Sequence, residues 1–558
     1  MMDYEEHKKG KIALNVLICI FLLIINFIFI MSKSINNLDE IWNYNMANQI
    51  ARGLIPYKDI SMVMTPFSQF LMATFLLFFN SVFTFRIIGT ILATFITAVA
   101  CDIVKKITQS RVVAFIFVLI TELLLYQLFT YDYNFLCVLL GEIALDLEIS
   151  KYLKRRISFE DMINYGSIYR KAEKKTFSER HKYINYDIAI GIITALTILT
   201  KQTVGIFMAI VVLLTPILER KFVTTKKDKK QNASEDELYI NASENNEYKI
   251  KKKNAIIARI ISIICPCLIF AIYLLITHSM NDFISYTVLG IKEFSNSISY
   301  WHLIEEGGSV LISILAVVLP AYLFFLIVFL IVADKDRTIN NVLKILLLYS
   351  IPTLVLIYPI ADKMHFLLGV YILLISLPFT IKFSARDLLS NINQARVDTF
   401  YTGVAITLFM VLIVLLGKNV GESFSTLYSH KGKSSDLKHF EHLYLEDYLN
   451  KRVKETNVKI NELRSTGAEV YVLDSESALY NIVKDEYYKD YDMFNRGNFG
   501  EDGEQRIMYN IQNSHNTYYL VRNAEFGLNW QTPRAIVDEI RKYNKKGSVG
   551  LFEIYYKE

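Results

Sequence analysis

Apolar stretches about 20 residues long recur through roughly the first three quarters of this 558-residue chain, and nothing else in it restricts the possible folds so strongly. Such a stretch can cross a hydrocarbon core of about 30 Å as a helix. The first, 12–31, follows His7, Lys8, Lys9 and Lys11 and is not followed by a small-residue cleavage site, so it reads as a retained span and not as a removed signal peptide. Further candidates are 82–104, 111–130, 133–151, 186–200, 203–218, 256–278, 308–333, 343–360, 366–382 and 400–417, about eleven in all. With 53% hydrophobic residues the chain is also too apolar to be wholly soluble, and the expected class is an α-helical polytopic membrane protein.

The segment 67–79 is apolar but short for a crossing, which suits a re-entrant or interfacial position. Charge decides its status. If it does not cross, the clusters Lys105/Lys106/Arg111, 151–156, 220–230 with 251–253, Lys335/Arg337 and Lys382/Arg386 all face the cytoplasm. If it does cross, the strongly basic loop 151–185 falls outside, against the positive-inside rule. The expected orientation therefore has the N-terminus inside and the C-terminus outside. The inner loops 151–185 and 219–255, rich in Lys, Glu and Asn, read as solvated, and the Asn-Ala-Ser triplets at Asn232 and Asn241 are then accidental matches to a glycosylation sequon. All five cysteines lie in apolar runs, which argues against a disulfide framework, and Cys265-Pro266-Cys267 reads as a proline kink. The net charge of +5 is too small for this length to suggest a nucleic-acid partner.

Residues 1–422 form the expected transmembrane part, and 423–558 a small exported α/β domain. The latter opens with a helix through 436–465 and a strand at 468–474, and a helix starts at Ser477. A strand at 517–522, a helix started by Thr532-Pro533 and a closing strand over 549–556 complete it.

The first outer loop, 33–81, begins with two adjacent carboxylates. Asp39 can cap a helix over 40–52 that Gly53 ends, with Trp42, Met46 and Ile50 on one face, so the helix is expected to lie along the interface with its aromatic side among lipid headgroups. Taken alone, Asp39 is an N-cap and Glu40 a first-turn charge. Their setting suggests more, because Asp59, Asp132, Lys201, Asp362, Lys363 and His365 all fall at span ends on the same outer side. Charged groups at membrane depth are costly and often functional. A cluster of carboxylates and cations just above the hydrocarbon suits transfer of a group from a lipid phosphate to a polar acceptor. A carboxylate such as Asp39 can take the proton of an attacking hydroxyl, while lysine and histidine, or a divalent metal ion held by carboxylates, stabilise the departing phosphate.

Asp39-Glu40 followed by ARGLIPYKDI and Thr65-Pro66 resembles the GT-C superfamily of polytopic glycosyltransferases, in the branch of protein O-mannosyltransferases, the lipid A aminoarabinose transferase and Rgt-type bacterial sugar transferases. TYDYN at 130–134, LTKQTVGI at 199–206 and YPIADKMHF at 358–366 carry the resemblance over roughly residues 1–420. It implies transfer of a sugar from a polyprenyl-phosphate donor to a cell-envelope glycan, lipid or protein on the outer face of a bacterial cell membrane, usually with inversion. By that similarity Asp39 matches the first-loop catalytic base, with Glu40 assisting it or holding a metal. Lys201 matches a basic position able to bind the donor phosphate, and Asp132 a pocket carboxylate. Asp362, Lys363 and His365 match a looser substrate-binding motif. The tail resembles exported domains of Gram-positive proteins through YDMFNRGNFGEDGE at 491–504 and NWQTP at 529–533.

Two other classes fit many spans. A transporter or flippase for a lipid-linked glycan predicts charged or helix-breaking positions near the midplane of the spans. An envelope-assembly scaffold predicts that replacing Asp39 or Lys201 changes nothing.

Overall fold

A computed structural model describes residues 2–35, 38–128, 132–164, 183–218, 235–290, 298–305, 310–332, 337–388, 394–529 and 531–558. Parts of the expected inner loops, with Asn232 and Lys335, lie outside the described residues. Helices dominate: α1 (Met2–Ser32), α2 (Asp39–Ala51), α3 (Phe67–Leu76), α4 (Val82–Thr108), α5 (Arg111–Tyr126), α6 (Tyr133–Asn164), α7 (Ile184–Thr200) and α8 (Gln202–Leu218). There follow α9 (Glu235–Ile276), α10 (Met280–Ile284), α11 (Tyr300–Glu305), α12 (Val310–Val332), α13 (Arg337–Leu354), α14 (Lys363–Leu388) and α15 (Gln394–Ser429).

Helices occupy each apolar stretch named above, and six among the described residues are long and apolar enough to cross a membrane: those at 82–108, 252–276, 310–331, 340–357, 363–382 and 403–429. Local chemistry sets their ends. Ser81 and Ser110 accept from the backbone N–H groups of Thr84 and Val113 at the starts of α4 and α5, and Gln109 takes the left-handed conformation that closes α4. With ten residues, α3 is about 15 Å long, half of what a crossing needs. Beyond it Leu77, Phe78 and Phe79 are 66%, 75% and 74% exposed.

The C-terminal domain comprises α16 (Asp447–Arg464), β1 (Glu469–Leu473), α17 (Ser477–Ile482), α18 (Gly503–Gln512), β2 (Thr517–Arg522), α19 (Arg534–Ile540), β3 (Asn544–Val549) and β4 (Phe552–Lys557). The four strands lie in the order β1-β2-β4-β3, with β1 and β2 parallel and the other pairs antiparallel. Two expectations are corrected here. The helix α15 continues to Ser429, and the helix expected from 436 starts only at Asp447. The single closing strand is a hairpin, because Gly550, at φ +54°, lets the chain reverse between β3 and β4.

The domain covers α2. Asn45 donates to Asp492 Oδ2 at 2.6 Å, Tyr44 meets His439 Nδ1 at 3.0 Å, and the Tyr487 hydroxyl accepts from Ser61 N at 2.9 Å. On the other side Trp42 and Met46 pack with Met62, Met64, Leu274 and Tyr286. Every residue from Glu40 to Gln49 is buried, so α2 is not the lipid-facing interfacial helix its sequence suggests. Gly500 seats the domain at a second point. Its φ is +72°, and a Cβ there would stand 2.7 Å from Ser285 Oγ and 3.3 Å from the Tyr286 ring. Gly500→Ala is expected to weaken this seat by about 1–3 kcal/mol, seen as faster limited proteolysis between α15 and α16. Unchanged cleavage would show that the contact does not hold the domain.

Candidate active site

One end of the helix bundle gathers the ends of several elements under α2. Asp39 is the first residue of α2, and the N-cap position belongs to Leu38 with no side-chain capping bond. The Asp39 backbone carbonyl accepts from Asn43 Nδ2 at 2.8 Å. Burial pushes its carboxyl above the usual carboxylate range. His365 opposes that shift, Asp362 adds to it, and Lys201 opposes it again.

Asp132 is buried at the start of α6, where its Oδ1 accepts from the backbone N–H groups of Asn134 at 2.8 Å and Phe135 at 3.3 Å. Its other oxygen accepts from Asn134 Nδ2 at 2.6 Å, and the Asn134 amide oxygen accepts from Lys201 Nζ at 2.9 Å. Lys201 sits in the break between α7 and α8, 5.2 Å over the Tyr133 ring. Its hydrogen bond thus goes to a neutral amide. Burial pushes the Asp132 carboxyl up to about 7, with Asp39 nearby adding to the effect. Burial also lowers the Lys201 ammonium, against the pull of Cys137, Asp132, Asp362 and Asp39.

The third contributor is the segment before α14. His365 donates its backbone N–H to Asp362 Oδ1 at 2.8 Å, and its Nδ1 lies 2.9 Å from the same oxygen. Burial raises the Asp362 carboxyl, but the bonds and charge of His365 outweigh it and hold it below the ordinary range.

Asp39, Asp132, Lys201, Asp362 and His365 therefore lie within electrostatic reach of one another. The remaining candidates stand apart from that group. Glu40 accepts from Arg86 Nε at 2.7 Å and from its Nη2 at 2.9 Å, both side chains being almost fully buried. Arg86 also donates to the carbonyls of Ile30, Lys33 and Ser34, tying the end of α1 to the start of α2. Glu40 thus anchors the start of α2 to α4. Asp59 closes its own turn, accepting from Ile55 N at 2.8 Å. Lys363 donates to Gln127 Oε1 at 3.2 Å and faces Lys33.

Sequence reasoning missed two residues. Asn134 lies inside the TYDYN motif, and it joins Asp132 to Lys201. Lys33 donates to the carbonyls of Tyr126 and Leu128, and burial, reinforced by Lys363 and Arg86, pushes its ammonium down to about 7. A signal for Lys33 existed: it is a lysine at the far end of a first span whose other basic residues precede it. No three His, Cys, Asp or Glu side chains among the described residues meet in an arrangement able to hold a metal ion.

The chemistry this arrangement can perform is general-base removal of a proton beside a cation oriented through an amide. Compared with known proteins, the chain matches no family model and no curated sequence.

Proposed function

We propose that the chain is a polytopic membrane glycosyltransferase, N-terminus inside and C-terminal domain outside, that moves a sugar from a polyprenyl-phosphate donor to a cell-envelope acceptor. The observation that supports this reading is the convergence of Asp39, Asp132, Lys201, Asp362 and His365 from separate stretches of chain onto one end of an apolar bundle. Asp39 takes the proton from the acceptor hydroxyl as its oxygen bonds to the anomeric carbon. The bond from that carbon to the phosphate oxygen breaks with its electron pair going to the phosphate, and the configuration inverts. Lys201, aimed by Asp132 through Asn134, receives the phosphate charge. The exposed Leu77, Phe78 and Phe79 after α3 offer apolar surface to the isoprenoid tail.

Donor binding tests the reading without turnover. Polyprenyl phosphate titrated into the full chain in lipid nanodiscs is expected to bind, and Lys201→Ala to weaken that binding roughly 10- to 100-fold, since hydrogen bonds to charged groups are worth about 1.5–3 kcal/mol. Equal affinity in the variant would assign Lys201 to anchoring, and no binding by either protein would remove the donor class.

A further inference from the structure

Glu142 lies in α6 about 13 Å from its start at Tyr133 and about the same from Lys151 farther along it. It is fully buried, and neither carboxyl oxygen has a hydrogen-bond partner. Within electrostatic reach on α14 is Tyr371, whose buried hydroxyl lies beside Thr97 and Thr121 and faces Glu122 of α5. Glu122 is fully buried too. Its Oε1 accepts from Thr97 at 2.7 Å and Asn26 at 3.3 Å, while its Oε2 has no partner.

The charged neighbours are committed elsewhere. Asp146, one turn farther along α6, is paired with Lys106 of α4 at 2.6 Å, and Lys106 also pairs with Asp102. Glu148 is held by Arg259 of α9 at 2.6 Å and by Tyr349 of α13 at 3.0 Å. Lys151 and Arg259 both reach Asp187 of α7. Those pairs satisfy themselves. Glu122 and Glu142 have no ion pair among the described residues, and two uncompensated carboxylates in an apolar bundle are too costly to persist.

We propose that Glu142, Tyr371 and Glu122 form a proton-binding site inside the helix bundle, with the bound proton on Glu142. A proton needs no cavity, which suits a place where the helices are closely packed: a Cβ on the neighbouring Gly141 would already stand 3.0 Å from Ile372. The site lies on the helices that carry the proposed active site. Asp132 precedes α6, and His365 lies in the first turn of α14. Glu122 stands one turn from Tyr126, whose carbonyl accepts from Lys33. The depth of the site rests on the membrane reading, but the transferase reading is not needed for it.

Infrared difference spectra of the full chain in nanodiscs, wild type against Glu142→Gln, are expected to show the carbonyl stretch of a protonated carboxylic acid at neutral pH that the variant lacks. Dicyclohexylcarbodiimide, which reacts with protonated carboxyls in apolar surroundings, is expected to label Glu142 in the wild type. That labelling should fall about tenfold per pH unit above its midpoint, and Tyr371→Phe should move the midpoint. If Glu142→Gln fails to fold, loss of the carbonyl band on raising the pH of the wild type, and its shifted midpoint in Tyr371→Phe, decide. An ionised carboxylate band at neutral pH with Glu142 unlabelled overturns the proposal. Protection of Glu142 by sodium at constant pH would also overturn it, making this a metal-cation site. Donor binding and sugar transfer are unaffected by either outcome as tests of the active site.

Discussion

Asp39→Asn is expected to lower turnover by about 10² or more while leaving donor affinity nearly unchanged. The substitution keeps the shape of the side chain and the start of α2 but removes the proton acceptor. Its magnitude follows from what a positioned general base contributes, and the split between rate and affinity distinguishes catalysis from donor binding. The pH profile supplies an independent check. Burial raises the Asp39 carboxyl, and only the ionised form accepts a proton, so activity falls as pH drops through that raised value. The acid limb of kcat/KM is therefore expected above about pH 4, where an ordinary aspartate would place it. A limb at the ordinary value, or a variant with wild-type turnover, would remove Asp39 from the role of base.

Arg86→Met is expected to cost about 3–5 kcal/mol of stability, the largest effect of any single substitution considered. Removing the guanidinium strands the buried Glu40 carboxylate and releases the carbonyls of Ile30, Lys33 and Ser34 together. The loss should appear as a lower unfolding temperature and poor recovery from membranes. Glu40→Ala is expected to fail in the same way, which separates an anchor from a catalytic group. A stable Glu40→Ala protein with selectively lost turnover would instead restore Glu40 as a catalytic partner of Asp39.

The helices were legible because hydropathy over about 20 residues is a local signal, and so was the grouping of Asp132, Lys201, Asp362 and His365, which follows from which end of each helix they occupy. What local pattern cannot show is the identity of a distant partner. Glu40 looks like a first-turn carboxylate until Arg86, far along the chain, takes it. The aromatic face of α2 looks interfacial until Met62, Met64, Leu274 and Tyr286 cover it, while His439 and Asp492, more than 350 residues away, close the other side. Lys33 and Asn134 were overlooked for the same reason: each owes its role to a contact with another element. Glu122 and Glu142 are single carboxylates inside apolar runs. Only the packing of α5 and α6 against α14 shows that they have Tyr371 in common.

The central claim is tested most directly by incubating the purified full chain in lipid with a panel of radiolabelled polyprenyl-phosphate sugars and envelope extract, beside Asp39→Asn. The account predicts that one donor is consumed, that its label appears in an envelope acceptor, and that the variant binds this donor but does not consume it. Consumption at equal rates by both proteins, or donor bound by both and consumed by neither while lipid-linked glycan crosses sealed vesicles, would contradict it and favour a transporter.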